Sequence, residues 1–207
     1  MVLTVCLLAG GLLAGALGRC LLRRLRRGAQ LRPGWCEAAC AILWGLTGLA
    51  GMPTLWLPVM MALSWFAVLL TATDLKHGRL PDALTLPAYP VFGLLLALAG
   101  SLERALVGAA LFFCLHATVH FLVPESLGRG DVKLSGSLGA ILGAVSWLAL
   151  SIGLALAALI TLTLRAVSPG RHSDRVPHGP GLLAATWLLA FLPATPGLPA
   201  DVAPLAL

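Results

Sequence analysis

From Leu134 to Leu164 the chain runs 31 residues without a charged side chain. In water such a stretch exposes more contiguous apolar surface than a small soluble domain carries. Lipid permits it on one condition: every backbone N–H and C=O must be paired inside the structure. A helix meets that condition within one segment, so the run restricts the fold to membrane-spanning helices. About 20 apolar residues suffice for one crossing. Thirty-one are too many for one ordinary helix and read as two, with the break near Gly143–Leu150. Composition extends the argument to the whole chain. Of 207 residues, 59% are hydrophobic and 11% charged, whereas soluble domains carry roughly 25% charge. That excludes a soluble globular protein, and the same lack of charge excludes disorder. The five cysteines are an odd number and form no disulfide framework.

Eight spans are expected: Met1–Gly18, Trp35–Gly51, Thr54–Thr73, Leu86–Gly100, Ala105–Val123, the two parts of 134–164, and Pro180–Leu192. A cleaved secretory signal places basic residues before its apolar core. Here Arg19, Arg23, Arg24, Arg26, Arg27 and Arg32 follow the first run, which predicts a retained span with its N-terminus outside. Thirteen of the 14 basic residues then fall in the four inner connections, and only Arg104 lies outside. Lysine and arginine mark the cytoplasmic side of a membrane protein, so the orientation is self-consistent. The expected architecture is all-α and polytopic, one membrane domain over residues 1–207. The longest polar loops, Arg19–Gly34 and Arg165–Gly179, are too short to hide a soluble domain. Gly11/Gly15 and Gly139/Gly143 have the spacing of close helix contacts.

Acids are few enough to take singly. Glu103, Asp174 and Asp201 sit in a turn, a basic loop and a tail, and read as surface charge. Asp74 follows the third span and Asp131 precedes the sixth; two spans intervene, so both belong to the same membrane face. Two carboxylates in a poorly solvated site can share one proton, because each charge opposes the other. The ionised partner can activate a water while the protonated one donates to a scissile carbonyl, which is metal-free amide hydrolysis. Plainer readings exist. Asp131 follows Gly130 at a helix start and has the position of an N-cap; Asp74 has the position of an interfacial anchor or a partner of Lys76.

The residues around these acids carry a family resemblance. Asp74-Leu75-Lys76-His77-Gly78-Arg79-Leu80-Pro81-Asp82, with Thr85 shortly after, resembles the first signature of type IV prepilin peptidases. Gly128-Arg129-Gly130-Asp131-Val132-Lys133-Leu134 resembles the second, Gly-x-Gly-Asp-x-Lys-Leu. Glu37 matches a family acid, and Val176-Pro177-His178-Gly179-Pro180 resembles a Pro-x-Gly-Pro segment before the last span. The match is strongest over residues 70–143. It implies an aspartic endopeptidase with Asp74 and Asp131 as the catalytic pair. The substrates the resemblance implies are type IV pilin-like precursors with short basic leaders, cut at the cytoplasmic face of the inner membrane just before an apolar helix. It further implies supporting roles: Gly128 and Gly130 for close backbone approach and unusual dihedrals, Lys133 beside Asp131 or an acidic substrate group, and Pro81 and Asp82 in shaping the first loop. Larger family members carry a zinc-binding insert with Cys-x-x-Cys pairs after the first span, and they methylate the new N-terminus. Here Arg19–Gly34 is short, and Cys20, Cys36 and Cys40 lack that spacing. The resemblance is therefore to a short form that acts as a peptidase only, without metal or cofactor.

Three rival readings fit parts of the sequence. His116 and His120 stand at i, i+4 and offer a metal face with Glu125 or Asp131, but the Glu of His-Glu-x-x-His is missing. A small proton-coupled transporter or channel also uses acids in its spans, but leaves Leu-Pro-Asp and Gly-x-Gly-Asp-x-Lys unexplained. A presenilin-like peptidase shares Gly-x-Gly-Asp; Thr73, not Tyr, precedes Asp74 here. Nucleic acid is not an expected partner, since no aromatic platform accompanies the arginine run.

Overall fold

The computed structural model describes residues 1–25, 29–78, 80–123, 127–167 and 178–192. Arg26, Arg27, Arg79, Glu125, Arg171, Asp174, Arg175, Val176, Pro177 and Asp201 lie outside these described residues. Within them the chain forms eight helices: α1 Val2–Arg24, α2 Trp35–Leu49, α3 Leu57–His77, α4 Asp82–Leu98, α5 Leu102–Leu122, α6 Arg129–Val145, α7 Trp147–Val167 and α8 Gly179–Phe191. Four of them, α1, α3, α5 and α7, are long and apolar enough to cross a membrane, which makes this a multi-pass membrane protein. The other four are shorter, and α2, α4 and α8 are predominantly apolar.

The apolar run over 134–164 divides at Ser146, inside the expected interval. Ser146 is extended, with φ −171° and ψ 159°. Its Oγ accepts the N–H of Ala149 at 3.0 Å, which is how a serine starts a new helix. The two helices then diverge in environment. α6 is buried along almost its whole length, from Asp131 to Val145, while α7 buries only Ala149, Gly153 and Ala157. α6 is the central rod of the bundle. It packs most closely on α5, where a Cβ on Gly108 would lie 2.5 Å from the Gly139 carbonyl oxygen and 2.8 Å from the Gly143 Cα. Gly11 and Gly15 do the same for α1 and α2, against the backbones of Ala41 and Glu37.

One expectation needs correction. The third span does not end at Thr73 and the fourth does not begin at Leu86: α3 continues through Asp74 to His77, and α4 begins at Asp82. The helix stops where Gly78 takes a left-handed conformation (φ +58°) and its N–H closes on the Asp74 carbonyl at 2.7 Å. Only glycine adopts that conformation without a steric cost. Pro81 then caps α4 in an extended conformation.

Tryptophans fasten the bundle. Trp187 donates to Ser64 Oγ at 2.8 Å and Trp56 to the Ala190 carbonyl at 3.0 Å, both tying α8 to α3. Trp65 donates to the Ala14 carbonyl and Trp44 to that of Met61, which hold α1 and α2 to α3. A hydrogen bond of this kind has no water to compete with inside a membrane protein.

Candidate active site

Three helix ends meet at one point. Asp74 lies in the last turn of α3, Asp131 in the first turn of α6, and Gly179 is the first residue of α8. Both acids are buried, at 5% and 8% exposure. A Cβ on Gly179 would lie 2.8 Å from Asp74 Oδ2 and 3.2 Å from Asp131 Oδ1. The two carboxylates therefore converge on the space that glycine leaves empty. They stand within about 6 Å of one another, the range in which one charge acts on the next. Asp74 Oδ2 is buried and has no hydrogen-bond partner. Among the described residues no basic side chain pairs with either acid; the two ion pairs found there involve other residues.

Local sequence explains the positions. Gly128 is the N-cap of α6, and Asp131 follows three residues later. Asp131 is thus not itself the N-cap. Its side chain turns back toward the cap, as acids at the third helical position do. Gly128 has φ −72°, and neither it nor Gly130 is among the positive-φ glycines, which are Gly34, Gly51, Gly78 and Gly100. Their contribution is closeness rather than unusual dihedrals. A Cβ on Gly130 would meet the Leu80 side chain at 2.9 Å, and one on Gly128 the Asp131 carboxylate at 3.2 Å.

Lys133 and Asp82 form a pair of their own, Nζ to Oδ1 at 2.8 Å, on the surface. This pair joins the start of α4 to the start of α6. Tyr89, the chain's single tyrosine, donates to the Lys133 carbonyl from α4. Sequence reasoning missed Tyr89; its uniqueness was the available signal. Pro81 caps α4, and its carbonyl oxygen accepts the Thr85 hydroxyl. Glu37 is far from the acids in role: Arg19 Nε donates to its Oε1 at 2.6 Å, and the Gly34 N–H to its Oε2 at 3.0 Å. Asp74 and Lys76 make no ion pair; the Lys76 ammonium donates to the Gln30 carbonyl.

The two histidines proposed as a metal face turn elsewhere. His116 Nδ1 meets the Phe112 carbonyl and His120 Nδ1 that of Leu127, each at 2.8 Å. Among the described residues no group of three His, Cys, Asp or Glu side chains is arranged to hold a metal ion. His116 instead faces His178, with ring centroids 6.3 Å apart, and His178 Nδ1 bonds Thr161 Oγ1 at 2.9 Å. Cys36 and Cys40 are buried free thiols of α2.

Comparison with known proteins places this geometry in context. The model of the type IV leader peptidase family matches residues 61–165, a segment that holds both Asp74 and Asp131. A prepilin leader peptidase/N-methyltransferase of Xanthomonas campestris pv. campestris is 33% identical over 144 residues, which is 63% of this chain and 48% of that protein. One from Aeromonas hydrophila is 33% identical over 62% of this chain and 47% of its own length. One from Stutzerimonas stutzeri is 30% identical over 73% and 55%. The chain thus spans about half the length of the curated relatives it matches. No solved structure matches it significantly.

Proposed function

The chain belongs to the type IV leader peptidase family, and on that premise we propose that it is an aspartic endopeptidase that removes basic leaders from type IV pilin-like precursors. The observation that carries the reading is the pair of buried carboxylates meeting at Gly179 with no cation paired to either among the described residues. A proton-coupled transporter would carry such acids deeper within its spans, whereas these two stand at helix ends.

In this reading Asp74 and Asp131 share one proton. The ionised carboxylate takes a proton from water as the water oxygen attacks the scissile carbonyl carbon. The protonated one gives its proton to the carbonyl oxygen. When the tetrahedral intermediate collapses, the C–N bond breaks and the amine leaves with a proton from the dyad. The products are a leader carboxylate and a new N-terminus. The eight helices all serve as spans with the N-terminus outside, in one domain in the inner membrane. The dyad then faces the cytoplasm, where a leader ends and a membrane helix begins. The connection between α1 and α2 carries no Cys-x-x-Cys pair, so methyl transfer is not part of the proposal.

Cleavage of a co-expressed pilin-like precursor tests it. Asp74→Asn and Asp131→Asn keep size and lose charge, and each is expected to lower the rate by about 10²-fold or more. Normal processing by either variant ends the dyad assignment. Loss of activity on chelation, with both variants active, favours a metal route instead.

A further inference from the structure

Beside the acids runs an apolar groove that the proposed chemistry does not use. α2 packs on α1 and α3, and α7 packs on α8. The gap between these two pairs lies over one face of α3 and encloses about 820 Å³. Ala39 and Leu43 of α2 form one wall, Ile160 of α7 and Ala184 of α8 the other, and Ala67 and Ala72 of α3 the floor. The lining is apolar except for Thr71, the Cys36 thiol and, at one end, Lys76.

That end is also the end where the acids stand. Leu75 and Pro180 line the groove, and they are the chain neighbours of Asp74 and Gly179. On α3 the groove-lining residues Ala67, Thr71 and Leu75 succeed one another at helical spacing along the edge next to Asp74. The seam between α3 and α8 ends at the same level. The groove therefore ends one residue along the chain from Asp74 and one from Gly179.

Dimensions favour a helix as the occupant. From Ala67 to Lys76 the floor is about 14 Å long at 1.5 Å per residue. The volume spread over that length gives a cross-section of about 60 Å², more than half that of a helix 10–12 Å wide. Alanines on both walls and on the floor let a helix backbone come close, as small residues do at helix contacts in membranes. We propose that this groove between α2, α3, α7 and α8 receives the apolar helix of the precursor, holding it so that the bond just before it reaches Asp74 and Asp131. The inference rests on the peptidase reading and adds the place where the substrate's membrane helix binds.

Photo-crosslinking of the full chain in bilayers tests it. Benzoylphenylalanine replaces Leu43 or Leu188 in the groove, or Leu106 or Leu111 on the exposed face of α5, in the Asp74→Asn background so that the precursor is held uncut. The probe substrate is a pilin-like precursor with a basic leader and one apolar helix. Crosslinks to that helix are expected from positions 43 and 188 and not from 106 or 111. Groove crosslinks to lipid alone, or equal yields from both faces, overturn the proposal. In the active chain Ala184→Trp fills the groove and is expected to raise KM for the precursor by about tenfold or more, whereas Leu106→Trp leaves it unchanged. Wild-type KM in a folded Ala184→Trp also overturns it. If Ala184→Trp does not fold, the crosslinks decide. Wild-type protein that never cuts the precursor refutes the peptidase reading itself; cutting without groove crosslinks refutes only the docking site.

Discussion

Two sets of buried or half-buried acids are treated oppositely by this fold. Glu37, at the start of α2, is given everything a carboxylate wants: the Arg19 guanidinium at 2.6 Å and the Gly34 N–H at 3.0 Å. Asp74 and Asp131 are given each other and a glycine where a side chain could have stood. A paired acid locks two helices together. Two unpaired acids held close by three helix ends keep their charge unresolved, and an unresolved charge is what proton transfer needs. Among the described residues an arginine is paired with the structural acid and no cation with the other two, and this is the contrast on which the proposed chemistry rests.

The sharpest way to break that contrast is to fill the space at Gly179. Gly179→Ala puts a methyl 2.8 Å from Asp74 Oδ2 and 3.2 Å from Asp131 Oδ1, too close for both to stay where they are. The expected loss in precursor cleavage is about 10²-fold, the scale of a 1 Å displacement of reacting groups, with helix content retained. Near-normal cleavage by a folded Gly179→Ala protein would show that the carboxylates need not converge there. Next in size is Glu37→Gln, which leaves Arg19 without its charged partner. It should lower the melting temperature in detergent while precursor cleavage by the folded fraction persists. If cleavage collapses and stability holds, Glu37 belongs with the functional acids and the division fails.

The surface pair Lys133–Asp82 lies between these extremes in position and below both in effect. Both side chains are largely solvated, at 42% and 55% exposure, and exposed pairs contribute about 0–1 kcal/mol. Asp82→Asn should therefore change stability by no more than that and slow cleavage slightly, through a looser junction of α4 and α6. A loss comparable to that of Asp74→Asn would move Asp82 into the dyad's own set.

How far these distinctions could be read from sequence depends on what kind of information each needs. Asp74 and Asp131 were legible because their neighbours form two motifs and because acids are scarce in an apolar chain. The break at Ser146 fell within the expected interval, since 31 uncharged residues exceed one span. The central place of α6 was not legible. Lipid and protein interior are equally apolar, so hydropathy cannot tell a helix buried on all sides from one that faces lipid. The Arg19–Glu37 pair was hidden for another reason: arginines before a span already have a topological explanation, and only the packing of α1 on α2 selects one of them. Gly179 was visible as part of a motif, but its role as the gap between two carboxylates depends on α8 arriving at the ends of α3 and α6.

The smallest expected effect concerns a histidine beside the acids. His178 directly precedes Gly179 and bonds Thr161 Oγ1 at 2.9 Å. Burial, with nearby His116 adding to it, pushes its pKa from 6.5 down to about 4. At neutral pH it is uncharged, and so it does not supply the cation that Arg19 supplies to Glu37. An unfolded chain takes up this proton near 6.5, the folded chain only near 4. Between those values the unfolded state binds more protons, so stability falls as pH falls through that window. Gln cannot titrate. His178→Gln should therefore lose less thermal stability than the parent between about pH 7 and about pH 4.5, while the carboxylates titrate in both proteins and largely cancel in the difference. Equal losses would mean that His178 titrates near its ordinary value. It would then stand as a cation beside Asp74 and Asp131 in mildly acidic solution, and the two sets of acids would no longer differ in kind.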